Sequence, residues 1–369
     1  MMPPAFSSTR QAALFALLLL GVLLSPVLAG KNFLPPRKEI YADIPWRFGP
    51  FNHIRQEIFE ENADIDILFI GSSCLWSAID TPYLQQELSK KLGRPAVVQT
   101  LGWAWNGFDA DYFVAQDLLQ HRKVGMIVFY DETRLDDVPH PASRYWFRFG
   151  DDAAALRGLP WRIQAMYYFG SILEMPANLA GLLRTNIPDE FIAPENDHWQ
   201  TFFHSEDSAK RMGALSVETI HGAPPGTPFV RSIPVGTVST SDVCIYSPET
   251  RDRFHFARNP APTWQLDFAR KFAKLAQDHG TKLVELNLMP QLQFPDGPVN
   301  TGLIQEREFW PDALQADVAM VGVPSAKLYA GLTDSEREGL FYMLRHYNAN
   351  GQQFFTRLVT PSLLKLYED

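Results

Sequence analysis

Apolar and polar positions in the first half of the chain alternate between two periods. Ile65-Asp66-Ile67-Leu68-Phe69-Ile70 is almost continuously apolar and stops at Gly71-Ser72-Ser73. A run of that length bounded by small residues predicts a central strand of a parallel sheet, covered on both faces. Leu84, Leu88 and Leu92 then recur at helical spacing. They predict a helix with Thr81 as N-cap, Pro82 in its first turn and Gly93 as a left-handed terminator. Pro95–Leu101 reads as a second strand, Phe108–Gln120 as a second helix and Val124–Tyr130 as a third strand. Strand, helix, strand, helix, strand predicts right-handed β-α-β units.

The pattern breaks at about residue 134 and resumes at about 262. Between them the chain is rich in Trp, Tyr, Phe, Pro and Gly, with a helix-like run at Trp161–Leu183 and turn signals at Pro224-Pro225-Gly226. It contains no repeat and reads as a long insertion capping the functional edge of the sheet. Regular structure returns with a helix over Thr263–His279, striped by Trp264, Phe268, Phe272 and Leu275, and a strand over Lys282–Leu288. Arg345-His346-Tyr347-Asn348 reads as a loop before a closing helix from Gly351 to about Tyr367. Residues 31–62 read as a lead-in, and 31–369 as one domain.

The 369 residues are 46% hydrophobic, enough for a large core, with a net charge of -9. That charge, without any Lys/Arg run, argues against nucleic acid as a partner. No Gly-rich phosphate cradle occurs, so no nucleotide cofactor is expected. The two cysteines, Cys74 and Cys244, exclude a disulfide-built scaffold and a cysteine metal site. They leave open either one bridge or two free thiols. At the N-terminus, Arg10 precedes the apolar run Ala12–Leu24, followed by Pro26 and Val27-Leu28-Ala29. Residues 1–30 read either as a cleaved signal peptide or as an anchor using residues 12–29. Both place the remainder outside the cytoplasm, in the periplasm or beyond.

Ligands of open parallel sheets bind at the carboxyl ends of the strands. Ser73, at such an end and just before a helix, is sited as a nucleophile, although Gly-Ser-Ser is also ordinary turn chemistry. Serine needs a base, and among nine histidines His346 stands out because it immediately precedes the terminal helix. His198, in Asp197-His198-Trp199, is a lesser candidate. His204, His221 and His255 lack zinc-site spacing, so no metal is expected. Arg251, Arg253 and Arg258 read as a scattered basic surface.

Gly71-Ser72-Ser73 after a strand, with His346-x-Asn348-x-x-Gly351 before a terminal helix, resembles the SGNH (GDSL-like) hydrolase superfamily. The resemblance is to its membrane-associated bacterial branch, in which Gly-Ser-Ser replaces Gly-Asp-Ser. It covers roughly 62–130 and 263–366. It implies a three-layer α/β/α fold with a mostly parallel sheet, and esterase or O-acyltransferase chemistry on a carbohydrate or cell-envelope polymer, without a cofactor. Ser73 would be the nucleophile and His346 the base. The oxyanion hole would use the Ser73 amide, Gly102 or Gly107, and Asn106. Two positions depart from the family pattern. Met343 stands where the family places an orienting Asp, with Asp334, Glu336 and Glu338 as upstream substitutes. Asp131-Glu132-Thr133 stands where it places an Asn. These departures support a second reading, an impaired accessory protein that binds a polysaccharide or an integral-membrane acyltransferase. A third, a generic α/β binding domain, expects Ser73 and His346 far apart.

Overall fold

The computed structural model describes residues 6–29, 35–130, 136–181, 183–186, 244–246, 262–286, 288, 318–322, 340–343, 346–347 and 349–369. In chain order these form α1 (Thr9–Ala29), α2 (Arg37–Asp43), α3 (Phe51–Phe59), β1 (Ile65–Ser72), α4 (Ser73–Ala78) and α5 (Thr81–Leu92). There follow β2 (Val98–Trp103), α6 (Phe108–Leu119), β3 (Val124–Tyr130), α7 (Ser143–Trp146), α8 (Phe149–Asp152), α9 (Trp161–Gly181) and β4 (Cys244–Tyr246). The C-terminal part supplies α10 (Thr263–Asp278), β5 (Lys282–Leu286), β6 (Val318–Gly322), β7 (Phe341–Met343), β8 (His346–Tyr347) and α11 (Ala349–Glu368).

The main sheet has the order β2-β1-β3-β5-β6-β4. Five neighbouring strands are parallel, and β4 closes one edge in the antiparallel sense. From β1 the chain steps to β2 on one side, then crosses to β3 on the other. This reversal of winding direction opens a crevice at the carboxyl ends of β1 and β3.

All eight residues of β1 are buried, as a strand covered on both faces must be. Ile67, Phe69, Met126, Val128, Val284 and Leu286 share one core with Leu84 and Leu88 of α5 and Phe354, Phe355, Leu358 and Val359 of α11. On the opposite face Phe129 meets Phe108 and Phe272 edge-on, at 6.0 and 5.6 Å between centroids, and Phe113 meets Phe268 at 5.6 Å. Helices therefore cover both sides of the sheet, α5 and α11 against α6 and α10. Each buried Phe or Leu contributes roughly 1.5–3 kcal/mol. The exception within β1 is Asp66. Arg94 holds it through two bonds, the Tyr367 hydroxyl donates to it at 2.6 Å, and the Val97 amide does so at 2.8 Å. This fastens the end of α11 to the start of the sheet.

Several expectations change in detail. Asp80, not Thr81, caps α5: its carboxylate accepts from the Tyr83 amide, while Thr81 turns inward to a hydroxyl bond with Thr100 at 2.9 Å. Gly93 terminates the helix in the left-handed region, φ 65°. The lead-in contains two helices, α2 and α3, and β6 supplies a parallel strand that the pattern had not marked. His346 is part of a strand pair rather than a loop, because β7 and β8 form an antiparallel hairpin.

The chain divides into two compact units, Met1–Ile44 with Pro141–Ile187, and Pro45–His140 with Pro188–Asp369. In this division the described start of the insertion, from Pro141, groups with the N-terminal residues. In that first unit Asp152 is buried and accepts from Arg37 at 2.6 Å and from the Arg148 amide at 2.5 Å. The Arg148 guanidinium donates to the Pro35 carbonyl. Phe147 packs on Tyr167 and Tyr168 at 5.4 and 5.2 Å. No helix among the described residues is long and apolar enough to cross a membrane.

Candidate active site

Ser73 opens α4 directly after β1. Ser72 is the N-cap, with extended backbone and a side chain that accepts from the Cys74 amide at 3.5 Å. A strand running straight into a helix leaves the first helical residue at the sheet's carboxyl edge, and Ser73 is 93% buried there. His346 arrives from the other end of the chain. Its Nε2 lies 2.8 Å from Ser73 Oγ, across 273 residues of sequence. The third reading, which expects the two far apart, does not describe this arrangement. Cys74 Sγ is 3.8 Å from the same nitrogen, and Cys74 is not in a disulfide.

Two features hold His346 in place. Gly351, in the first turn of α11, allows the hairpin to approach: a Cβ there would stand 2.1 Å from the Leu340 carbonyl oxygen and 2.5 Å from the Tyr347 ring. Helix α11 in turn grips the segment that follows Ser73. Thr356 Oγ1 accepts from the Asp80 amide at 2.8 Å and donates to the Ala78 carbonyl at 3.2 Å, while Gln352 Nε2 donates to the Ile79 carbonyl at 3.1 Å. Helix α11, which follows His346, and the segment that follows Ser73 are thereby joined by buried side-chain to main-chain bonds. Met343 of β7 is the backbone partner of His346 across the hairpin.

A second set of residues borders Ser73 on the side of β2 and β3. Tyr130, the last residue of β3, lies 2.5 Å from Ser72 Oγ and donates to Asn106 Oδ1 at 3.1 Å. A tyrosine has one hydroxyl proton. With that proton given to Asn106, the proton of the short bond comes from Ser72. The relay runs from the Cys74 amide through Ser72 and Tyr130 to Asn106. Because its Oδ1 faces Tyr130, the amide end of Asn106 points the other way.

Gly102 lies inside β2, paired with Gly71 of β1. A Cβ there would meet Trp76 at 2.7 Å, so the absence of a side chain lets Trp76 of α4 lie against the sheet. Gly107 lies past the strand, at the start of α6. Of the two glycines weighed for the oxyanion hole, only Gly107 belongs to the connecting loop. Asp131-Glu132-Thr133, Asp197-His198-Trp199, His204, His221, Arg251, Arg253, His255, Arg258, Asp334, Glu336, Glu338 and Asn348 lie outside the described residues. Among the described residues no cluster of His, Cys, Asp or Glu has the makings of a metal site.

The sequence pattern did not mark Tyr130, Trp105 or His140. His140 is 1% exposed; its Nε2 donates to the Ala104 carbonyl at 2.7 Å, and its amide donates to Asp109 at 2.8 Å. Burial pushes its pKa down to about 4, partly offset by hydrogen bonds to the Ala104 and Trp105 backbone, so the ring is neutral near pH 7. Asp111, also buried and close to Asp109, is held well above the usual carboxylate range, first by burial and then by the Asp109 charge.

No family model matches the chain, and neither does any curated protein or solved structure.

Proposed function

We propose that the chain is an extracytoplasmic SGNH-type serine hydrolase or O-acyltransferase acting on a carbohydrate or cell-envelope polymer. The supporting observation is the 2.8 Å contact between Ser73 Oγ and His346 Nε2 at the carboxyl edge of a parallel sheet. In this reading Ser73 Oγ attacks the ester carbonyl carbon as its proton passes to His346 Nε2. The carbonyl electron pair moves onto oxygen, where the Ser73 amide, the Asn106 amide group and the Gly107 amide are the donors of the oxyanion hole. Collapse breaks the bond to the alcohol, which leaves with the proton from Nε2, and the acyl group stays on Ser73. Water or a sugar hydroxyl then gives its proton to Nε2 and takes the acyl group, and as the ester bond to Ser73 breaks that proton passes to Ser73 Oγ, restoring the serine and the neutral histidine.

Each oxyanion donor supports about a hundred- to a thousandfold in rate. The orienting acid of a triad supports about four orders of magnitude, so with Met343 in the family's Asp position a slow turnover is expected. Fluorophosphonate labelling and p-nitrophenyl acetate turnover test the reading. Both are expected in the wild type and lost in Ser73→Ala and His346→Ala. Equal signals in wild type and Ser73→Ala would overturn it.

A further inference from the structure

Trp105 is the only non-glycine residue among those described with a positive φ, 71°, and its side chain is 54% exposed. A bulky residue in the left-handed region is an outlier, and such residues persist only where their surroundings over-determine them. The surroundings do so here. The Ala104 amide donates to the Phe48 carbonyl at 2.9 Å, and the Ala104 carbonyl accepts from buried His140 at 2.7 Å. Asn106 is held by Tyr130 at 3.1 Å, and the Phe108 amide donates to Gln265 at 2.9 Å. The backbone is tied at 104 and 108 and the Asn106 side chain is tied to Tyr130, and the residue between Ala104 and Asn106 presents its indole to solvent.

The register places this loop at the functional edge. Trp103 is the pairing partner of Ser72, so Trp105 lies two residues beyond it, and Asn106 connects through Tyr130 to Ser72 itself. The segment Trp103-Ala104-Trp105-Asn106-Gly107-Phe108 carries no charge. It offers one flat apolar face with an amide beside it. That combination suits a neutral ring with an apolar C–H face and a polar rim, which describes a pyranose. A charged headgroup would find no counter-ion in this segment.

We propose that Trp105 is the platform of a sugar-binding subsite beside Ser73 and His346, and that His140 is the positioning residue that holds the platform in place. The inference rests on the acyl-transfer reading for its reactive pair and adds the chemical class of the group that carries or receives the acyl chain, a neutral hexopyranose.

The test compares kcat/KM for methyl 6-O-acetyl-glucopyranoside with that for p-nitrophenyl acetate. In Trp105→Ala the ratio is expected to fall at least about tenfold, the scale of losing one stacking aromatic, chiefly through a higher KM for the sugar ester. Trp105→Phe recovers most of it. His140→Phe lowers the ratio, and His140→Gln, which retains a donor, restores it. An unchanged ratio in Trp105→Ala overturns the proposal, as does equal loss for both esters. If the wild type turns over neither ester, the acyl-transfer reading fails, and the subsite is then judged by calorimetric titration with cellotriose. Weaker binding by Trp105→Ala than by the wild type sustains it; equal binding, or none by the wild type, overturns it.

Discussion

A histidine that accepts a proton through Nε2 must carry its own proton on Nδ1, and whatever holds that nitrogen sets the tautomer. The usual holder in the family proposed for this chain is an Asp three residues earlier; Met343 occupies that position and pairs with His346 across the hairpin. Met343→Asp is therefore expected to raise kcat for p-nitrophenyl acetate at least about tenfold, part of the four orders of magnitude an orienting acid supports. No gain in a folded variant would show that the ring is already fixed by other means. At Tyr130 the prediction runs the other way. Tyr130→Phe removes both bonds of the Ser72–Tyr130–Asn106 relay. It should cost about 1–3 kcal/mol for the two hydrogen bonds lost, read as a lower denaturant midpoint, together with a fall in kcat. Ser73 and His346 were legible because each sits at a boundary where the apolar period changes. Tyr130 and His140 were not. A lone aromatic at a strand end and a lone histidine after an irregular segment carry no local pattern, and their roles come from partners 24 to 58 and 31 to 36 residues away.

Among the elements, the helices and parallel strands flanking β1 were legible from periodicity, and the cap of α5 shows the limit of that reading. Asp80 and Thr81 are both good N-cap residues, and sequence alone does not say which turns inward. Thr100, behind Thr81, decides it. Asp80→Ala is expected to cost about 1 kcal/mol, measured by thermal unfolding; no loss would mean that the cap contributes nothing in this context. The β7–β8 hairpin was missed because two- and three-residue strands are too short to show alternation. Thr356 provides the sharper test of how α11 acts. Thr356→Val keeps the shape but deletes both bonds to the α4–α5 link. It should lower fluorophosphonate labelling of Ser73 by more than its loss of stability explains, because the register between the two helices is then less firmly set. Labelling that tracks the folded fraction alone would refute that view.

For the whole molecule, the α/β class and the two-sided cover of the sheet followed from the apolar runs. The division into two units did not, since it depends on α2 folding with α7 and α9, over a hundred residues later in the chain. One buried group sets a pH dependence for the second unit. His140 has a folded pKa of about 4 against about 6.5 when exposed, so the unfolded chain takes up the proton first. The stability it protects is complete above about pH 6.5 and drains as pH falls toward 4, by at most about 1.4 kcal/mol per pH unit. His140→Gln is expected to flatten that slope in denaturant melts between pH 4.5 and 7, and an unaltered slope would assign the acid sensitivity elsewhere.

The contact between Ser73 and His346 also has a consequence in time. It closes a loop of 273 residues, and contacts between such distant parts of a chain form late because their closure entropy must be met first. A chain still emerging during synthesis has β1, β2 and β3 long before it has His346, so under the proposed mechanism Ser73 stays chemically silent until the last helix docks. In refolding experiments, sheet structure should return ahead of fluorophosphonate reactivity, and the interval between the two measures how long the protein exists folded in outline but unarmed.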